Sequence, residues 1–262
     1  MNTKVHILTL SKDIDNELLN TTHSLVLSAK GSDKKILQNI FYSIVIKNYV
    51  NCHILKKLED LLENSNLNFE IVPQQKLSRE EHLNFKTNGW YEGVYDILKT
   101  VSPNSYLWFL NAGDYALKNS IDLIIKFIIN SSSCSTYAAF SFLTKITDRN
   151  TSFIKPNILF DKNSKRYILS MLPCFQSILI KSKYLKDFEN LFYKGIEGIE
   201  MKILEYYFKK NLFCFIPECI AIFSYGGTST TQNIGSKKRL LNIYNFLRHR
   251  RFMKLISEII KL

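Results

Sequence analysis

Short apolar runs alternate with longer amphipathic stretches through the first half of this chain. Lys4 to Leu10, Tyr42 to Ile46, Phe69 to Val72, Tyr106 to Leu110 and Tyr137 to Leu143 are compact and apolar, the pattern of buried strands. Between them, apolar residues recur at helical spacing, most clearly Ile54, Leu55, Leu58, Leu61 and Leu62 within His53 to Glu63. Helices are also predicted over Asp15 to about Ser28, within Asn88 to Thr100, and over Ser120 to Asn130. Asp13 or Asp15 is placed to cap the first of these and Ser120 the last, because their oxygens accept from orphan amides of a first turn. Strands separated by helices in this order predict an α/β fold, with a mainly parallel sheet and helices on both faces. The serine-rich run Ser131 to Ser135 is the clearest linker, and no internal repeat is visible.

Composition narrows the class. A chain of 262 residues fits one large α/β domain, or a domain and a tail, and 46% hydrophobic residues can fill its core. A folded domain, not a disordered chain, is expected. Cys52, Cys134, Cys174, Cys214 and Cys219 form no CxxC pair and no zinc-finger spacing, as expected of buried thiols in a cytosolic protein. Met1 to Leu10 reads as a first strand, without the apolar core or cleavage site of a signal peptide. No stretch reaches the roughly 18 uninterrupted apolar residues of a membrane span. A cytoplasmic location is expected.

The net charge of +12 is partly local. From Ser236 onward, Lys237, Lys238, Arg239, Arg248, Arg250, Arg251, Lys254 and Lys261 stand against Glu258 alone. Leu240, Leu241, Ile243, Phe246, Leu247, Leu255, Ile256 and Ile259 fall at mostly helical spacing among them. A basic amphipathic helix fits an anionic membrane surface, domain packing with a solvated basic edge, or a nucleic acid. The chain has no basic-aromatic RNA-binding signature or zinc pattern, so no nucleic-acid partner is expected.

Candidate chemistry concentrates at Tyr106 to Tyr115, where an apolar strand stops at Asn111-Ala112-Gly113-Asp114. In open α/β sheets, clefts lie at the carboxyl ends of strands, and a carboxylate there can hold a hard cation against a diphosphate. The same residues also suit an ordinary turn. No GxGxxG follows the first strand, which disfavours a dinucleotide-binding dehydrogenase. A Gly-rich N-terminal loop bearing Arg or Lys, as a nucleotidyltransferase would need, is missing too.

Taken in order, Gly93-Val94-Tyr95-Asp96, Leu110-Asn111-Ala112-Gly113-Asp114, Pro173-Cys174-Phe175-Gln176 and Gly226-Gly227-Thr228-Ser229 resemble the motifs of family 2, GT-A-type glycosyltransferases of bacterial surface-polysaccharide biosynthesis. The resemblance spans about residues 1–230. It implies a GT-A (Rossmann-like) domain over 1–235, with a nucleotide-sugar half at about 1–130 and an acceptor half at about 136–235. The basic helical tail is then 236–262.

The implied reaction is an inverting transfer from a nucleotide-sugar donor to a growing, lipid-linked glycan, on the inner face of the cell membrane. Asp114 would hold Mg2+ or Mn2+, with Asn111 assisting through water, and Asp96 would lie beside the donor. The general base falls in a segment without Asp; Glu200 aligns best, and Glu197 shares its helical face three residues earlier. Gln176, Gly226 and Gly227 are placed toward the acceptor.

The chain departs from the pattern at the nucleotide loop. Lys47 stands where the family has its first Asp and Asn51 near the second, with Tyr49 between them as a stacking candidate. Phe175 replaces the family's His. A catalytically silent binding protein of the same pathway is therefore the alternative.

Overall fold

The computed structural model describes residues 4–50, 52–74, 89–129, 139–147, 152–155, 160–161, 166–167, 174–188, 202–204, 206–207, 210 and 212–224. Strand β1 (Val5–Ser11) lies between β2 (Ile40–Ile46) and β4 (Tyr106–Phe109), parallel to both, with Val5 opposite Ile40 and Tyr106. Beyond β2, β3 (Asn68–Pro73) continues the parallel run. On the other side, β10 (Ile178–Lys181) enters antiparallel between β4 and β6 (Ala139–Thr147). β11 (Phe213–Ser224) pairs parallel with β6, and the two-residue β5 (Tyr115–Ala116) closes the far edge antiparallel to β11. The strand order is β3-β2-β1-β4-β10-β6-β11-β5, with β7 (Ser152–Lys155) added to β6. The small pair β8 (Phe160–Asp161) and β9 (Arg166–Tyr167) stands apart from this sheet.

Successive strand side chains point to opposite faces, so the apolar runs feed two cores. On one face Val5, Ile7, Tyr42, Ile44 and Trp108 pack with α1 (Asn16–Ala29) and α3 (His53–Glu63). A single turn, α2 (Lys34–Leu37), leads from α1 into β2. On the opposite face Leu8, Leu10, Val45, Leu107 and Phe109 pack with Val94, Ile97 and Leu98 of α4 (Gly89–Thr100). The fold is an α/β domain with a mostly parallel sheet and helices on both faces.

The expected caps divide. Asp15 caps α1, accepting from the Leu18 amide at 2.9 Å, whereas Asp13 turns to the β2 loop. Ser120 is not a cap: it begins α5 (Ser120–Ile124) fully buried, and its hydroxyl reaches the carbonyls of Leu117 and Ile220. The helix expected to run to Asn130 widens into a π-helical turn over Ile125–Ile129. Burial on the sheet governs there: Ile121, Ile124, Ile125, Ile128 and Ile129 all face the core. The cysteines described, Cys52, Cys174, Cys214 and Cys219, are free and half-buried, not fully buried as expected. The serine-rich linker and the basic tail from Ser236 lie outside the described residues. Among the described residues no helix is long and apolar enough to cross a membrane.

Candidate functional site

The chain moves from β1 to β2 on one side and reaches β4 on the other, so the order reverses beside β1. A topological switch point opens a crevice at the carboxyl ends of these strands. Leu10 and Ser11 end one wall, and Leu110 to Asp114 form the other.

That second wall is built by hydrogen bonds. The Leu110 amide donates to the Leu8 carbonyl at 3.0 Å, so the parallel ladder continues just past β4. The Leu110 carbonyl accepts from the Thr9 hydroxyl at 2.6 Å, and the Tyr42 hydroxyl donates to Thr9 at 3.0 Å. The chain then turns: the Asp114 amide donates to the Asn111 carbonyl at 3.0 Å, and Gly113 adopts φ +93°. L-residues with a side chain disfavour that region, so Gly113 is what the turn requires.

The turn delivers the Asp114 carboxyl into the interior, 4% exposed. Burial pushes it from its ordinary 3.8 up to about 7, against hydrogen bonds from the Gln176 side chain and the Asn111 backbone. Among the described residues no Lys or Arg pairs with it. Gln176 comes from a 3-10 turn, Phe175–Ser177, that leads into β10. Its carbonyl accepts from the Trp108 indole at 2.6 Å, and the Phe175 ring packs on Phe109 at 4.9 Å. Two sequence-distant candidates, Asp114 and Gln176, therefore meet. Gln176 lies on the carboxylate itself, and half-buried Asn111 stands at the start of the same turn.

Across the crevice, the loop after β2 is tied to the loop after β1. Lys47 donates its amide to the Ser11 carbonyl at 3.0 Å and Asn48 to Lys12 at 2.8 Å. The Asn48 side chain donates to the Asp13 carboxylate at 2.6 Å. This fastening leaves the side chains of Lys47 and Tyr49 exposed to solvent, Tyr49 by 40%. Asn51 lies outside the described residues, as do Glu197, Glu200, Gly226 and Gly227.

Asp96 sits elsewhere. It projects from α4 with Lys99 Nζ at 3.8 Å and lines a cavity of about 420 Å3 together with His6, Glu70, Val72 and Gln74. Neither Asn111 nor Asp114 lines that cavity. The start of α4 does approach the crevice: a Cβ on Gly93 would stand 2.7 Å from Leu10 Cδ2. This close packing accounts for glycine there, and the Gln74 amide fastens β3 to Glu92 at 2.7 Å.

The hydroxyls that hold the Asp114 turn, from Thr9, Tyr42 and Thr21, are absent from the expectations above. Their signal was a polar residue at a core position: Thr21 and Thr22 share the buried face of α1 with Leu18 and Leu25.

A divalent cation fits this carboxylate on the chemistry of the donors. Among the described residues no cluster of three or more His, Cys, Asp or Glu could hold a metal ion. One buried carboxylate without a cationic neighbour matches the habit of Mg2+, which keeps waters and binds through one or two carboxylates plus phosphates.

No protein-family profile and no curated protein sequence matches the chain. Among solved structures, it is similar to a mannosyltransferase of Pyrobaculum calidifontis, PcManGT, in complex with GDP-Man and Mn2+. The TM-score is 0.54 at 10% identity, over 98% of this chain and 69% of that one. A 4-diphosphocytidyl-2C-methyl-D-erythritol synthase of Anaerococcus prevotii reaches a TM-score of 0.39 at 12% identity, over 91% and 96%, too distant to weigh. The similarity to the mannosyltransferase shows the fold: a GT-A-like α/β domain.

Proposed function

We propose that the protein is an inverting glycosyltransferase that moves a sugar from a nucleoside-diphosphate sugar to a lipid-linked surface glycan. The observation that carries this reading is Asp114, a buried carboxylate without a cationic partner among the described residues, at the strand-end crevice of a GT-A fold. The mannosyltransferase that shares the fold is bound to GDP-Man and Mn2+, which supports the same ligand classes here.

In this reading Asp114 holds Mg2+ or Mn2+, with Asn111 assisting through water. The bound cation supplies charge neutralisation for a departing diphosphate. Lys47, exposed on the loop after β2, meets a phosphate or an acidic sugar, Tyr49 stacks on the base, and Asn51 and Asp96 complete the donor side. The acceptor oxygen attacks the anomeric carbon as its bond to the diphosphate breaks, and the nucleoside diphosphate leaves with the electron pair. Glu200 takes the acceptor proton, positioned by Glu197. Gln176 and the Gly226-Gly227 turn stand toward the acceptor, and the basic tail holds the enzyme on the anionic inner face of the cell membrane.

Thermal-shift titration with UDP-, GDP- and CMP-sugars, with and without Mn2+, tests the reading. One nucleotide sugar should raise the midpoint only when Mn2+ is present, because a ligand of the native state alone stabilises it. Transfer should then release the nucleoside diphosphate. Metal-dependent binding without any release would identify the silent binding protein instead, and no shift with any donor would end both readings.

A further inference from the structure

One side chain outside the sheet grips the turn that carries Asp114. Thr21 lies fully buried on the second turn of α1. Its hydroxyl accepts from the Gly113 amide at 3.0 Å and donates to the Asp114 carbonyl at 2.7 Å. Only four soft backbone torsions, φ and ψ of Gly113 and Asp114, lie between those two atoms. The same stretch of backbone sets the direction of the Asp114 Cα–Cβ bond, from which the carboxylate projects. Glycine at φ +93° has the widest backbone freedom of any residue, so the turn's own sequence does not fix them. A β-branched side chain on a packed helix has few rotamers, so the hydroxyl is itself well placed. Helix α1 is anchored in turn by the Asp15 cap and by buried Leu18 and Leu25. One turn further along, Ser24 accepts from the Ala116 amide at 3.0 Å, two residues beyond Asp114.

We propose that Thr21 is the positioning residue for the Asp114 carboxylate, holding it in the direction that divalent-cation binding requires. This rests on the metal reading of Asp114 and adds the device that sets its geometry. Outer partners of a ligand typically control metal affinity by about 10–100-fold.

The test uses the full chain and Mn2+ itself, with and without GDP, read by the spin-resonance signal of free Mn2+. Thr21→Val keeps the shape and removes both hydrogen bonds; it should weaken Mn2+ by about tenfold or more. The Gly113 amide should also exchange faster with solvent deuterium, a readout that needs no metal. Thr21→Ser restores the hydroxyl and should recover Mn2+ affinity. Ser24→Ala loosens the segment beyond Asp114 and should leave Mn2+ affinity at the wild-type level. Should the valine variant fail to fold, Thr21→Cys, close in volume with only a weak donor, decides the question by the same loss. Wild-type Mn2+ affinity in Thr21→Val, or an equal loss in Thr21→Ser or Ser24→Ala, overturns the positioning role alone. If the wild type binds no Mn2+ with or without GDP, the metal reading falls and takes the positioning role with it.

Discussion

Replacing Asp114 with Asn should make the metal-free protein more stable at alkaline pH while abolishing its response to Mn2+. Folding raises the carboxyl from 3.8 to about 7, chiefly through burial. Below pH 3.8 the acid is protonated in both states and contributes nothing to pH dependence. As pH rises from 3.8 to about 7, the unfolded chain ionises first, and stability is lost progressively. Above that window both states are ionised and the loss is complete, at about 4 kcal/mol. The site is 4% exposed, so solvent screening does little to reduce the figure. An amide in place of the carboxylate carries no charge to desolvate. Asp114→Asn should therefore recover about 2–4 kcal/mol at pH 8, and nothing at pH 3.5.

The assay is urea unfolding of both proteins at pH 3.5, 5.5 and 8 in a chelating buffer. The difference between the two proteins isolates this residue from every other titrating group. Mn2+ should then stabilise the wild type at pH 8 and leave Asp114→Asn unmoved, since only a native-state ligand shifts the midpoint. If the two proteins differ equally at pH 3.5 and pH 8, the carboxylate is not desolvated in the native state. If Asp114→Asn still gains Mn2+-dependent stability, the ligand assignment ends.

Three further outcomes are expected. Glu200→Gln should lower turnover by on the order of a hundredfold with little change in donor affinity; if Glu197→Gln does so instead, the roles exchange, and if neither does, the base lies elsewhere. His6, 8% exposed and hydrogen-bonded to Ser43, is held by burial at about 4 against an ordinary 6.5. It is neutral in both states above pH 6.5; stability falls as pH drops from 6.5 to about 4, by about 3 kcal/mol, because only the unfolded chain takes the proton. His6→Gln should erase that slope in urea unfolding, and an unchanged slope would show that the ring is accessible. Truncation before Ser236 should release the protein from anionic liposomes, since each basic residue contributes roughly 1 kcal/mol near such a surface. High salt should weaken the full chain's binding, and an intact protein indifferent to anionic vesicles would refute the anchor.

The first half of the fold was legible because its strands are mostly apolar: β1, β2 and β4 are buried almost throughout, with only a few buried polar residues such as His6, Thr9 and Ser43. β1, β2, β3 and β4 each fall within two residues of their apolar runs, and α3 spans His53–Glu63 as its spacing predicts. Of the later strands, β6 (Ala139–Thr147) overlaps the run Tyr137 to Leu143 and extends four residues beyond it, whereas β5, β10 and β11 were not legible. β5 has two residues and β10 four, too few for any period to emerge, and both are fixed by pairing with distant partners. β11 carries Pro217 and Glu218 in its middle, residues that argue against a strand when read locally. Its register with β6 shifts between Phe215 and Cys219, which lets an irregular stretch bearing that proline sit at a bulge. The insertion of β10 antiparallel between β4 and β6 is a matter of pairing with strands distant in sequence, which four residues cannot announce.

For the site, the same distinction separates what a motif conveys from what makes the motif work. Asn111-Ala112-Gly113-Asp114 announces a turn after a buried strand, and Gly113 at positive φ confirms that much of its physics. Nothing in those four residues says whether the carboxylate meets water or the interior. That is decided by Gln176, sixty-two positions on, and by Thr21, on a helix that precedes the strand. Both belong to residue types that look unremarkable in isolation, and each matters because the fold carries it to one turn. Asp96 makes the converse point. Its motif places it beside a donor pocket, and the structure sets it on a cavity that Asp114 does not share. Between the two, Gly93 of α4 packs against the Leu10 side chain, where an added Cβ would meet Cδ2 at 2.7 Å. On the proposed reading Asp96 and Asp114 meet separate parts of the donor, and substituting one should not change the other's contribution. Additive losses in donor affinity on combining Asp96→Asn with Asp114→Asn are the expected outcome, as for sites without shared partners. A strong coupling between the two in that double-mutant cycle would mean that the bound state draws them into one site.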